Sequence, residues 1–212
     1  MFTNAGVKIR KLTAIVLVIL SLCMIMSAQA ETVTADMLFG EVKDATYENA
    51  FLGLSCTMEG WHYYTDEEIE KINQMTKETL SEEIAELMNR NIAIMMAQSP
   101  DSTQNVNIQI SNVKDYVDVY NTLGLQYVAE NSLTSFKGVL DAAGYTDIQL
   151  EVGELTIGDQ TFTCVNGEYK LQGRQLYFKQ LWDLRDTYLV TVTATSVLED
   201  TTDEIFSKFS LQ

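Results

Sequence analysis

From Ile148 to Ser196 the chain is a succession of short runs in which apolar and polar residues alternate, each closed by a pair of turn-forming residues. Ile148, Leu150 and Val152 alternate, and Gly158-Asp159 turns the chain. Thr161 to Lys170 follows, with Asn166-Gly167 as a bulge or an alternative turn, and Gln172-Gly173 turns it again. Leu176, Phe178, Trp182 and Leu184 punctuate the next run, Arg185-Asp186 reverses it, and Tyr188 to Ser196 is rich in β-branched residues. A period of two puts one face of each strand on a core. The connections are too short for a crossover, so successive strands must run antiparallel.

The preceding half mixes strands and helices. Residues 44–59 read as strand, with Phe51, Leu52, Leu54, Cys56 and Met58 alternating along the second half. Thr65-Asp66-Glu67-Glu68 has the form of a capping box. Ile69, Ile72, Met75, Leu80, Ile84, Leu87 and Met88 then trace one face of an amphipathic helix. Ile92–Ala97 and Val106–Ile110 flank the turn signal Ser99-Pro100-Asp101 and read as a hairpin. A second helix is expected over 127–143, closed by Gly144, and a short one over 202–208. Helices come in blocks instead of alternating with strands. The fold class is therefore α+β: a central, mainly antiparallel β-sheet flanked by helices, an α/β/α sandwich.

The chain start concerns destination. Lys8, Arg10 and Lys11 precede an uncharged apolar run from Leu12 to Met26, and Ser27-Ala28-Gln29-Ala30 ends in small residues. This is the three-part pattern of a secretory signal peptide, with cleavage expected after Ala30. The run is shorter than the roughly 20 residues that span a bilayer. An uncleaved leader would be the one membrane attachment. Lipidation at Cys23 is disfavoured, because Leu22 stands where a small residue is needed. Residues 31–212 are expected to form one domain that is secreted or otherwise extracytoplasmic. Their two cysteines, Cys56 and Cys164, read as buried thiols, with a disulfide as the alternative.

Tyr47-Glu48-Asn49, Leu52-Gly53-Leu54, Gly60-Trp61 and Asp66-Glu67-Glu68 together resemble the opening of PsbP-like and DcrB-like domains. The closing meander is similar to theirs as well, so the likeness covers about residues 42–210. It implies an α/β/α sandwich and a non-enzymatic accessory role in the cell envelope. It carries no ligand residue across.

Charge and motifs narrow the chemistry. The formal net charge is −16, and it becomes −19 once the three basic residues of the leader are removed. That opposes nucleic-acid binding. No G-x-S-x-G, S-x-x-K, phosphate loop or calcium loop occurs, so no catalytic residue, metal ligand or cofactor is assigned. Asp101-Ser102-Thr103-Gln104-Asn105 supplies oxygens without the loop glycine and reads as a turn. The cluster Trp61-His62-Tyr63-Tyr64 is the candidate ligand-binding site: aromatics can stack on sugar rings or peptide side chains, and His62 can change charge near neutrality. The competing reading is that these rings cover the edge of the core. Tyr116, Tyr120 and Tyr127 could likewise form an aromatic stripe or cover a core. The sequence thus points to a non-catalytic binding or accessory module whose partner is a protein or glycan of the cell envelope. Alternatives are a carboxylate-dependent hydrolase acting on glycan or peptide, and a cation-binding accessory subunit.

Overall fold

The computed structural model describes residues 38–77 and 91–212. The stretch that reads as one strand over 44–59 is three: β1 (Glu41–Lys43), β2 (Thr46–Asn49) and β3 (Leu54–Thr57). Asp44 and Ala45 both take positive φ, 47° and 66°, between the paired residues Lys43 and Thr46. That is the geometry of a two-residue hairpin turn, which matches the twist of the flanking strands. Next come β4 (His62–Tyr63), α1 (Asp66–Lys77), β5 (Asn91–Gln98) and β6 (Gln104–Asn112). The later part of the expected amphipathic helix, with Leu80, Ile84, Leu87 and Met88, lies outside the described residues, as does the leader.

A short 3₁₀ turn over Lys114–Tyr116 leads into α2 (Val117–Leu123) and α3 (Leu125–Ala142). Helix α3 ends as its sequence indicates: Gly144 adopts φ +87°, and the Tyr145 amide donates to the Leu140 carbonyl at 3.1 Å. The meander follows as β7 (Thr146–Ile157), β8 (Gln160–Leu171), β9 (Arg174–Arg185) and β10 (Tyr188–Val197), then α4 (Thr202–Phe206) and β11 (Phe209–Leu211). Asn166-Gly167 is neither turn nor bulge. It lies inside β8, in register with Glu151-Leu150 on one side and Lys179-Phe178 on the other.

Among the described residues all pairings are antiparallel, in two sheets: four strands ordered β1-β2-β3-β11 and seven ordered β4-β5-β6-β10-β9-β8-β7. The α+β class and its antiparallel character hold, but the molecule is richer in sheet than an α/β/α sandwich. Where that arrangement expects helices, one face of the large sheet packs on the small sheet and α4. Tyr47, Leu54 and Cys56 of the small sheet meet Val106, Ile108, Ile110, Val190 and Val192 of the large one. The opposite face carries α3, whose Ala129, Phe136 and Leu140 lie on Val165, Tyr169, Leu176, Phe178 and Trp182. The first is called the inner face below, the second the outer. Sheet pairing needs a partner strand, and β3 finds one in β11, from the far end of the chain.

Cys56 and Cys164 are both free and buried. Among the described residues no helix is long and apolar enough to cross a membrane.

Candidate functional site

Strand β4 separates the aromatic cluster into two pairs, because successive side chains leave a strand on opposite faces. Trp61 and Tyr63 turn inward and pack against the sandwich core. The Tyr63 hydroxyl shares its proton between the carbonyls of Ala45 and Cys56, each at 3.1 Å. Burial raises its pKa. These two rings stitch the small sheet to the large one. His62 and Tyr64 turn outward, with ring centroids 4.9 Å apart. The candidate site is therefore halved: one pair covers the core, and the other stands at the outer face.

His62 is held from the helix side. Its Nε2 lies 3.3 Å from Glu68 Oε1. Glu68 Oε2 accepts from the Thr65 amide at 2.9 Å, and the Glu68 amide donates back to Thr65 Oγ1 at 3.3 Å. This is the capping box read from the sequence. The Thr65 amide holds the Glu68 carboxyl below its usual range, and His62 adds to the effect.

The outer face behind this pair is polar and uncharged. His62 is in register with Gln98, Gln98 with Asn105, Asn105 with Thr195, and Thr195 with Phe178. The neighbouring row runs Met96, Asn107, Thr193, Gln180. Exposure falls steeply along the first: His62 is exposed, Gln98 half-buried and Asn105 only 1% exposed. Asn107, Thr193 and Thr195 are fully buried. The row is partly self-satisfied. Tyr64 donates its hydroxyl proton to Gln98 Oε1 at 2.9 Å, Gln180 Nε2 donates to Thr193 Oγ1 at 2.9 Å, and Trp182 Nε1 donates to Gln180 Oε1 at 2.7 Å. The carboxamides of Asn105 and Asn107 and the hydroxyl of Thr195 have no hydrogen-bonding partner. Each such group carries a desolvation cost of roughly 1–3 kcal/mol. The sequence signal was present in the polar positions of Asn105-Val-Asn107-Ile-Gln109-Ile-Ser111. Alternation alone reads them as facing water.

A concavity lies on the inner face, between the meander and the segment leading into α4. It is a groove of about 440 Å³ lined by Glu151, Asn166, Glu168, Tyr177, Lys179 and Asp200, among others. The Lys179 ammonium pairs with Asp203 of α4. Of the other sequence candidates, Asp101 is occupied locally: it accepts from the Ser99 hydroxyl at 2.7 Å and from the Thr103 amide at 3.1 Å, closing the β5–β6 turn. The tyrosines do not form a stripe. Tyr120 is buried with Tyr116 beside it, while Tyr127 is exposed on α3. Among the described residues no group of three or more His, Cys, Asp or Glu side chains is placed to hold a metal ion.

No family model and no curated protein matches the chain. Among solved structures it is similar to a protein of Bacteroides thetaiotaomicron VPI-5482, at TM-score 0.37 and 10% identity over 79% of this chain and 48% of that one. The chain spans about half the length of that protein. It is also similar to LpqN, involved in cell envelope biogenesis of Mycobacterium tuberculosis, at TM-score 0.38 and 10% identity over 75% of this chain and 83% of that one. Similarities at this level do not place the chain in a family.

Proposed function

We propose that this chain is a non-catalytic binding module that works outside the cytoplasm, in the cell envelope or beyond it, and holds an uncharged polar ligand on the outer face of its large sheet. One observation carries the binding reading: Asn105 and Asn107 are buried without hydrogen-bonding partners, and Asn105 is linked in register through the half-buried Gln98 to the exposed His62. Ligand hydrogen bonds would relieve the desolvation of these groups. The signal-peptide pattern of residues 1–30 supports export, and the surplus of acidic residues supports solubility there. The resemblance to PsbP-like and DcrB-like domains agrees with an accessory role.

Thermal melting of the purified protein with glycan and peptide fractions of a digested cell envelope tests this. One fraction should raise the melting temperature of the wild-type protein and leave Asn107→Leu unmoved. Equal responses of both proteins to every fraction would remove the reading.

A further inference from the structure

We infer that the open edge of β7 takes up an extended peptide in which basic and apolar residues alternate, adding it to the large sheet as a further strand. The site lies apart from Asn105 and Asn107 and does not rest on the neutral-ligand reading. The two sheets end in β1, β11, β4 and β7. Proteins guard such edges chiefly by keeping them short or charged. Strands β1 and β11 have three residues each and β4 has two. Strand β7 has twelve, and among the described residues β8 is its one strand partner. Ile157 and Gln160 flank a two-residue turn, so they form a hydrogen-bonded pair, and every second pair back along the strand does the same. The amides and carbonyls of Leu150, Val152, Glu154 and Thr156 therefore point away from β8. Register is unbroken from Gln149 to Ile157, and no residue from Thr146 to Thr156 is buried. An incoming strand meets a continuous row of outward-pointing backbone donors and acceptors.

Main-chain bonds of this kind give affinity, and the side chains on either face give selectivity. On the inner face the groove of about 440 Å³ begins on β7 itself, at Glu151, and continues over Asn166, Glu168 and Tyr177. Neighbouring strands lie about 4.8 Å apart, so the long stem of a lysine on an added strand crosses β7 and carries its ammonium beside Glu151 and toward Glu168. The lysines at hand are already engaged, Lys170 with Asp147 and Lys179 with Asp203. Glu151, Glu154 and Glu168 make no ion pair among the described residues. On the outer face Leu150 and Val152 are half-buried against the core under α3, and they offer apolar surface to the alternate side chains of the same peptide. Charge also decides against a second copy of this chain as the occupant. Its edge would bring the same glutamates, and the formal net charge of −16 opposes self-association. The acids that repel such a strand attract a basic one.

The test titrates the full purified protein into dye-labelled heptapeptides and follows fluorescence anisotropy. A peptide alternating lysine and valine should bind saturably. One alternating glutamate and valine should not bind. One alternating lysine and proline keeps the charge but cannot pair as a strand, and should bind at least about tenfold more weakly. Val152→Pro removes an outward amide at a position where an edge strand tolerates proline, and should abolish binding of the lysine–valine peptide. If that variant fails to fold, Glu151→Gln combined with Glu168→Gln should weaken binding about tenfold. Equal binding of the lysine–valine and lysine–proline peptides would reduce the effect to charge alone and overturn the added strand. Undiminished binding by folded Val152→Pro, or by the double glutamine variant, overturns the placement on β7. Binding of the glutamate–valine peptide, or of none, overturns the proposal. Sedimentation of the protein alone closes the test: a dimer that Val152→Pro dissolves would assign the edge to a second copy and overturn the peptide. None of these outcomes bears on the neutral-ligand reading, which the envelope-fraction experiment decides.

Discussion

The ring of Phe178 occupies the space that a side chain would fill on Gly167, its register partner across the β8–β9 pair. A Cβ built on Gly167 would stand 1.9 Å from Phe178 Cε1. The ring cannot retreat freely, because Phe136 of α3 meets it edge-on at 5.4 Å and Tyr169 lies 5.7 Å away. Gly167→Ala should therefore lower stability by about 1–3 kcal/mol and the melting temperature by several degrees. Phe178→Leu should also destabilise, by loss of packing. The double variant should lose less than the two single losses added, because the clash vanishes with the ring. Denaturant unfolding of the four proteins measures this. Strict additivity would show that the close approach is not rigid.

That glycine shows where sequence reading stops. The meander was legible because period and turn chemistry are local. Gly167 was not: a glycine that makes room for a ring looks like a turn glycine until its partner strand is known. The division into two sheets was hidden for a related reason. Alternation tells which face of Leu54 and Cys56 is buried, but not that Val106 and Val192 lie opposite. Strand β11 is three residues long and, among the described strands, pairs with β3 alone. Its pairing is non-local, and no pattern within Phe209–Leu211 announces it. The aromatic cluster was located, but its division between core and surface follows from the register of β4 on β5. The burial of Asn105 and Asn107 has no signal in the sequence, because polarity usually means exposure.

The two thiols should be inert in the folded protein. Burial pushes Cys56 up to about 11 and Cys164 up to about 12. At pH 8 the thiolate fraction of Cys56 is then on the order of 10⁻³, and the thiolate is the reactive form. Peptide-resolved mass spectrometry after brief alkylation should find neither residue modified in native buffer and both modified in denaturant. Rapid native labelling of Cys56 would show that the seam under Tyr63 opens.

Acidification should weaken the start of α1. Glu68 has a folded-state pKa below its ordinary value of 4.5, chiefly through the Thr65 amide. A depressed carboxyl pKa contributes stability above the unfolded pKa and loses it as pH falls through the folded one. The contribution is therefore present at neutral pH and disappears below about pH 4.5. The pair is solvent-exposed, so the effect is modest and screened by salt. Glu68→Gln should shrink the fall in melting temperature between pH 6 and pH 3, most visibly at low ionic strength. An unchanged acid limb would show that the capping carboxylate adds nothing to stability.

Asn49 is fully buried, and its carboxamide ties three separate groups. Its Nδ2 donates to the Leu38 carbonyl at 2.8 Å and to the Tyr47 hydroxyl at 2.9 Å, while its Oδ1 accepts from the Leu52 amide at 3.0 Å. Tyr47 in turn donates to the Phe39 carbonyl at 2.8 Å. The pair Tyr47 and Asn49 thus fixes the chain entering β1 and the turn leaving β2. Asn49→Leu should cost roughly 2–4 kcal/mol, because several buried polar groups lose a partner together. Asn49→Asp separates donor from acceptor. An ionised carboxyl there could still accept from Leu52 but could not donate to Leu38, and burial would raise its pKa. A raised folded-state pKa gives stability that is present at low pH and lost as pH rises through it. Asn49→Asp should thus be closest to wild type under acid conditions and fall furthest behind near neutrality, opposite in sign to the Glu68 effect. Denaturant midpoints of Asn49→Asp and wild type at pH 4 and pH 8 decide it. A gap that is no wider at pH 8 would mean that the Leu52 contact outweighs the two donor bonds.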